Sequence, residues 1–121
     1  MKRTAVICDD DPMARRVISG LAAGAGYEVL AEVDRAVTAV DMVEFHQPSV
    51  AVMDVSMPGM SGVEAMPLVR AACDDTRIIL ISSFDLVPRG SVPGGAYDVV
   101  DKADFEHLRT ALASIATIAA A

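Results

Sequence analysis

The chain has 121 residues, a net charge of −7 and a hydrophobic fraction of 53% with only 4% aromatic. That length fits one compact domain, and the acidic balance excludes a nucleic-acid surface, which needs clustered Lys and Arg. No run reaches the ~18 apolar residues of a membrane span and no basic leader precedes an apolar stretch, so one cytoplasmic domain over residues 1–121 is expected.

Short apolar runs alternate with helical segments along the chain. Thr4–Cys8 reads as a buried strand. Asp11 and Pro12 supply an N-cap and a first-turn proline, and the helix they open runs to the glycines at 24 and 26. Glu28–Val33 is a second strand. Ala36–Phe45 follows with Val37, Val40 and Val43 at helical spacing, ending before Pro48. Val50–Asp54 is a third strand, apolar until its last residue. Met57-Pro58-Gly59 makes a turn, and Ser61 with Glu64 forms a capping box for a third helix that Pro67 should bend. Ile78–Ser82 and Asp98–Asp101 are the fourth and fifth strands, and Asp104 caps a last helix running into the Ala-rich tail. Where a further helix would lie, residues 84–94 hold two prolines and two glycines, so the fourth helix is expected to be degenerate or replaced by a loop. Cys8 and Cys73 are expected as reduced thiols, and His46 and His107 as ordinary surface residues.

Strands apolar on both faces, alternating with helices, imply a parallel sheet covered on both sides. In such α/β folds ligands sit at the carboxyl ends of the strands. Those ends carry Asp9-Asp10-Asp11, Asp54, Ser82 and, just past the fifth strand, Lys102. Gathered carboxylates repel unless a cation sits among them, and Mg²⁺ suits a hard, oxygen-rich site with few protein ligands. With the metal bound, an Asp carboxylate can attack phosphorus, while Lys102 adds positive charge and Ser82 a hydroxyl donor. Each signal alone has a plainer reading. Asp9-Asp10-Asp11 would be a solvated turn with a helix cap, Lys102 a surface lysine and Ser82 a strand-edge hydroxyl. Their joint order along the chain points to one site. Met57 and Met60 should line its rim.

The set Asp9/Asp10, Asp54 through Gly62, Ser82-Ser83 and Lys102 resembles the receiver domain of bacterial two-component response regulators, across essentially the whole chain. The resemblance implies a flavodoxin-like, doubly wound five-stranded parallel sheet of order 2-1-3-4-5. It implies Asp54 as phosphoacceptor, Asp10 and Asp54 as direct Mg²⁺ ligands, a ligand from the Ser56 backbone carbonyl, and Asp9 acting through water or as an acid behind the direct ligands. Ser82 and Lys102 stand where the family has its hydroxyl and its phosphate-pairing lysine. The implied partners are a histidine kinase or phosphotransfer protein and a downstream output protein or output domain, with no membrane contact.

The chain departs from the family at several positions. Ala103 follows the lysine in place of proline, Val99 replaces the aromatic of the fifth strand, and Ser61 stands where Asp is commoner. A pseudo-receiver, docking constitutively without phospho-switching, is therefore the alternative to a working phosphoacceptor. A catalytic function in its own right is not expected. An Asp-nucleophile phosphatase would need a second Asp where Ser56 stands, and a flavin binder a Ser/Thr/Gly-rich loop where the acids lie.

Overall fold

In the computed structural model, residues 3–83 and 94–120 are described. Five parallel strands form one sheet, β1 (Thr4–Cys8), β2 (Glu28–Val33), β3 (Val50–Asp54), β4 (Arg77–Ser82) and β5 (Asp98–Asp101), in the order β2-β1-β3-β4-β5. Four helices are present among the described residues: α1 (Pro12–Gly24), α2 (Ala36–His46), α3 (Gly62–Ala72) and α4 (Phe105–Ala120). The expected sheet and its order are therefore present. The expectation for residues 84–94 falls, except for Gly94, outside the described residues.

The pleat of the sheet sorts its residues into two cores. Ala5, Ile7, Val50, Val52, Ile79, Ile81 and Val100 face α1 and α4, where Ile18, Ala22, Leu112 and Ile115 meet them. Cys8, Ala51, Met53, Ile78 and Leu80 face α2 and α3, packing on Ala39, Val43, Ala65 and Val69. Every residue of β3 is buried, as expected for a central strand covered on both faces.

The helix boundaries follow local chemistry. Asp11 accepts a hydrogen bond from the Met13 amide at 3.1 Å, and Pro12 fills the first helical position. Ser61 and Glu64 close the capping box, with the Glu64 amide 3.0 Å from Ser61 Oγ and the Ser61 amide 3.1 Å from Glu64 Oε1. Asp104 caps α4 by accepting from the His107 amide at 3.0 Å. Gln47 ends α2 in the left-handed region, and its side-chain amide donates to the carbonyls of Glu44 and Ala72, tying α2 to the end of α3.

Three expectations need correction. Val37 is 58% exposed, because the buried stripe of α2 runs through Ala36, Ala39 and Val43 instead. The Met57 side chain turns inward, its Sδ 3.4 Å from the Cys8 thiol, so only Met60 stays at the rim. His107 is no plain surface residue: its Nε2 lies 2.8 Å from Asp98 Oδ2, joining α4 to β5.

Candidate functional site

Parallel register brings the strand ends level. Asp54 lies opposite Ile81, and the chain just beyond it is held by the Val55 amide donating to the Ile81 carbonyl at 2.8 Å. Ser82 lies opposite Asp101, and the Lys102 amide donates to the Ser82 carbonyl at 2.9 Å, which fixes where the lysine leaves β5. Asp9, just past β1, donates its amide to the Val33 carbonyl at 3.1 Å. Side chains far apart in sequence are thereby carried to one edge of the sheet.

Lys102 holds the centre. Its Nζ lies 3.0 Å from Asp54 Oδ2 and 3.2 Å from Asp9 Oδ1. Asp54 is only 3% exposed, and its Oδ1 accepts the Ser56 amide at 3.1 Å. Burial pushes the Asp54 carboxyl above the usual carboxylate range; the bonds from Lys102 and Ser56 pull the other way without cancelling it, and the Asp9 charge adds to the rise. Burial alone would lower the Lys102 ammonium, but its bonds to Asp54 and Asp9 outweigh that and hold it above its ordinary value.

Asp9 is fully buried, and its Oδ1 also accepts the Asp11 amide at 2.9 Å. Its Oδ2 has no hydrogen-bond partner; Lys102 Nζ is 3.0 Å away but out of line for a hydrogen bond. The ammonium therefore faces this buried oxygen as a charge and leaves its lone pairs without a hydrogen bond, which is costly for a buried polar atom. Carboxylate oxygens of Asp9, Asp10 and Asp54 all lie within 4.8 Å of one another. Three carboxylates against one ammonium leave two negative charges, which a divalent cation cancels. The donor set is all hard oxygen and incomplete, so it fits Mg²⁺ with several waters retained.

The remaining expected residues are placed as follows. Ser82 is buried at the end of β4, with its hydroxyl 3.5 Å from the Ser83 carbonyl, a long contact that leaves it available to a new acceptor. Ser56 is exposed beside Asp54. Asp10 is exposed and lines an open cavity of about 610 Å³ with Arg35, Pro58, Gly59 and Met60. Val99 is partly buried against the core that faces α2 and α3.

Two residues escaped the sequence reading. Gly62 starts α3 so close to the end of β3 that a Cβ there would sit 2.5 Å from the Asp54 carbonyl oxygen. Arg15 reaches back from α1 to donate to the Asp9 carbonyl at 2.7 Å. A cation so near a helix N-terminus runs against the helix dipole, and that misplacement was the signal available in the sequence.

Comparison with known proteins agrees with this fold. The transcriptional regulatory protein NarL of Mycobacterium tuberculosis is 36% identical over 81 residues, covering 66% of this chain and 38% of its own length. The chain thus spans well under half of that relative. The chemotaxis protein CheY of Bacillus subtilis is 29% identical over 104 residues, with 84% of this chain and 87% of CheY covered. The fold matches the receiver domain of the response regulator AraT from Geobacillus stearothermophilus with a TM-score of 0.86 at 24% identity, over 99% of this chain and 97% of that one. The family description "Response regulator receiver domain" matches residues 5–113. That span begins in β1 and ends within α4, so it encloses every strand end that feeds the acid cluster, and the chain belongs to the response regulator receiver domain family.

Proposed function

We propose that residues 1–121 form one receiver domain that takes a phosphoryl group from a histidine kinase or phosphotransfer protein onto the Asp54 carboxylate. The observation that carries this reading is the Lys102 ammonium between Asp54 and the buried Asp9, whose Oδ2 accepts no hydrogen bond. Asp10, Asp54 and the Ser56 backbone carbonyl would hold Mg²⁺, with Asp9 acting through a bound water. When bound, the metal supplies charge neutralisation for the transferring group. An Asp54 oxygen forms the new P–O bond as the P–N bond to the donor imidazole breaks, and the leaving ring nitrogen takes up a proton. Lys102 then pairs with a phosphoryl oxygen, and the Ser82 hydroxyl donates to another. The phosphorylated state acts on an output protein or output domain. The chain itself turns over no other substrate.

The partly buried Val99, in place of a large ring, favours one other reading, a pseudo-receiver that docks constitutively. Intact-mass measurement after acetyl phosphate treatment, with and without Mg²⁺, separates the two. A single added phosphoryl group that needs Mg²⁺ and vanishes in Asp54→Asn supports the phosphoacceptor. No labelling under any condition overturns it in favour of the docking module.

A further inference from the structure

Asp10 and Asp9 stand in different mechanical situations. Asp9 is fixed at three points: its amide to Val33, its carboxylate to the Asp11 amide and Lys102, and its carbonyl to Arg15. Asp10 is exposed, and among the described residues no hydrogen bond or ion pair holds its carboxylate. Its side chain is placed by the backbone alone. The peptide unit joining Asp9 to Asp10 is planar, so whatever fixes the Asp9 carbonyl also fixes the Asp10 amide and the position of the Asp10 Cα from which the side chain departs. The group that fixes it is the Arg15 guanidinium, at 2.7 Å.

Helix α1 anchors that guanidinium. The Arg15 amide donates to the Asp11 carbonyl at 2.9 Å in the first turn, so the arginine stem is rooted in the helix that Asp11 and Pro12 start. The chain from Asp9 to Arg15 is closed into a loop by its own side chain. Mg²⁺ demands near-octahedral geometry and tolerates misplaced ligands poorly. Groups that orient metal ligands without touching the metal commonly alter affinity by about 10–100-fold when removed.

We propose that Arg15 is a positioning residue for the metal site, holding the Asp9–Asp10 peptide so that the Asp10 carboxylate is set for Mg²⁺ before the ion arrives. This rests on the Mg²⁺ reading above. Charge alone works in the opposite direction, because a guanidinium near the acids repels a cation and its removal would tighten binding. The sign of the change therefore separates a tether from a bystander.

The test is calorimetric titration of Mg²⁺ into wild type, Arg15→Met, Arg15→Lys and the neighbouring Arg16→Met, with hydrogen exchange of the Asp11 amide measured in metal-free protein. Arg15→Met should weaken Mg²⁺ binding about tenfold and speed exchange of the Asp11 amide. Arg15→Lys, which keeps the charge and one donor, should recover most of the affinity, and Arg16→Met should bind like wild type. Arg15→Gln, too short to span the turn, replaces Arg15→Met if that variant does not fold. Binding as tight as wild type, or tighter, in the variant lacking the tether overturns the proposal. Wild type that binds no Mg²⁺ instead overturns the metal reading on which it stands.

Discussion

Gly62→Ala adds one methyl group at the start of α3, and the structure sets its cost. The new Cβ would lie 2.5 Å from the Asp54 carbonyl oxygen, 3.1 Å from the Asp54 carbonyl carbon and 3.2 Å from Leu80 Cδ2. The first two belong to the backbone of a central strand, which cannot swing aside as a side chain would. The first turn of α3 must back away, stretching the 3.1 Å hydrogen bond from the Gly62 amide to the Val55 carbonyl. Overpacking of this kind costs about 1–3 kcal/mol, and a lost hydrogen bond about 1 kcal/mol. Alanine returns about 0.4–1 kcal/mol by restricting the unfolded chain. The net expectation is a loss of about 2 kcal/mol, which for a domain of this size lowers Tm by roughly 8 °C. Urea and thermal unfolding of metal-free protein measure it, with Gly20→Ala as the comparator. Gly20 is a helical glycine in α1 with open space around its missing Cβ, so that variant should gain stability. If Gly62→Ala matches Gly20→Ala, the close approach of α3 to Asp54 is not what requires the glycine.

Other expectations follow from the charges at the strand ends. Because burial raises the Asp54 carboxyl, its proton is held more tightly in the folded chain than in the unfolded one. Its contribution to metal-free stability is thus full at low pH and declines as pH rises from the unfolded value through the raised folded value, which urea titrations across that window should record. Asp54→Asn should remove this decline, raise the metal-free Tm at neutral pH and abolish labelling by acetyl phosphate; labelling that persists on another carboxylate would exclude Asp54 as the unique acceptor. Asp10→Asn should abolish the Tm increase that Mg²⁺ gives wild type, and an undiminished increase would remove Asp10 from the ligand set. Lys102→Ala leaves two buried carboxylates without their shared cation, so metal-free protein should lose about 2 kcal/mol or more, and Mg²⁺ should restore part of that loss. An unchanged urea midpoint would show that the lysine contributes nothing to the fold. Cys8, its thiol pushed up to about 12 by burial and the nearby Asp9 charge, should resist iodoacetamide in the folded state; rapid alkylation would contradict its placement beneath the site.

The sequence showed most where a backbone rule and a side-chain type coincide. Asp11-Pro12 and Ser61 with Glu64 announce helix starts because only certain side chains satisfy free amides there. The wholly apolar Val50–Met53 announces a central strand, and the polar residue ending it marks the ligand edge. It showed less where a position depends on three-dimensional packing. Val37 fits a helical apolar stripe as well as Val43 does, and only the angle at which α2 lies on the sheet decides between them. Met57 could have pointed to solvent or inward, and the Cys8 sulfur beneath it settles the matter. The His107–Asp98 pair joins a strand to a helix through a turn whose path no periodicity reports. The carboxylates could be listed from sequence, whereas the Asp9 oxygen left without a hydrogen bond among them depends on where Lys102 stops.

Adjacent residues of β3 answer to different neighbours. Val52 packs with α1 and α4, and Met53 with α2 and α3, so the sheet acts as a partition between two separately packed halves. Damage on one side should add to damage on the other, while two changes within one half should couple. Ile115→Val with Val69→Ala therefore forms a cycle expected to close near zero, and Ile115→Val with Ile18→Val one that does not. Strand β3 contributes to both halves, as β1 and β4 do, and it ends in Asp54. A covalent change at that one side chain stands at the end of the partition, where both halves can register it.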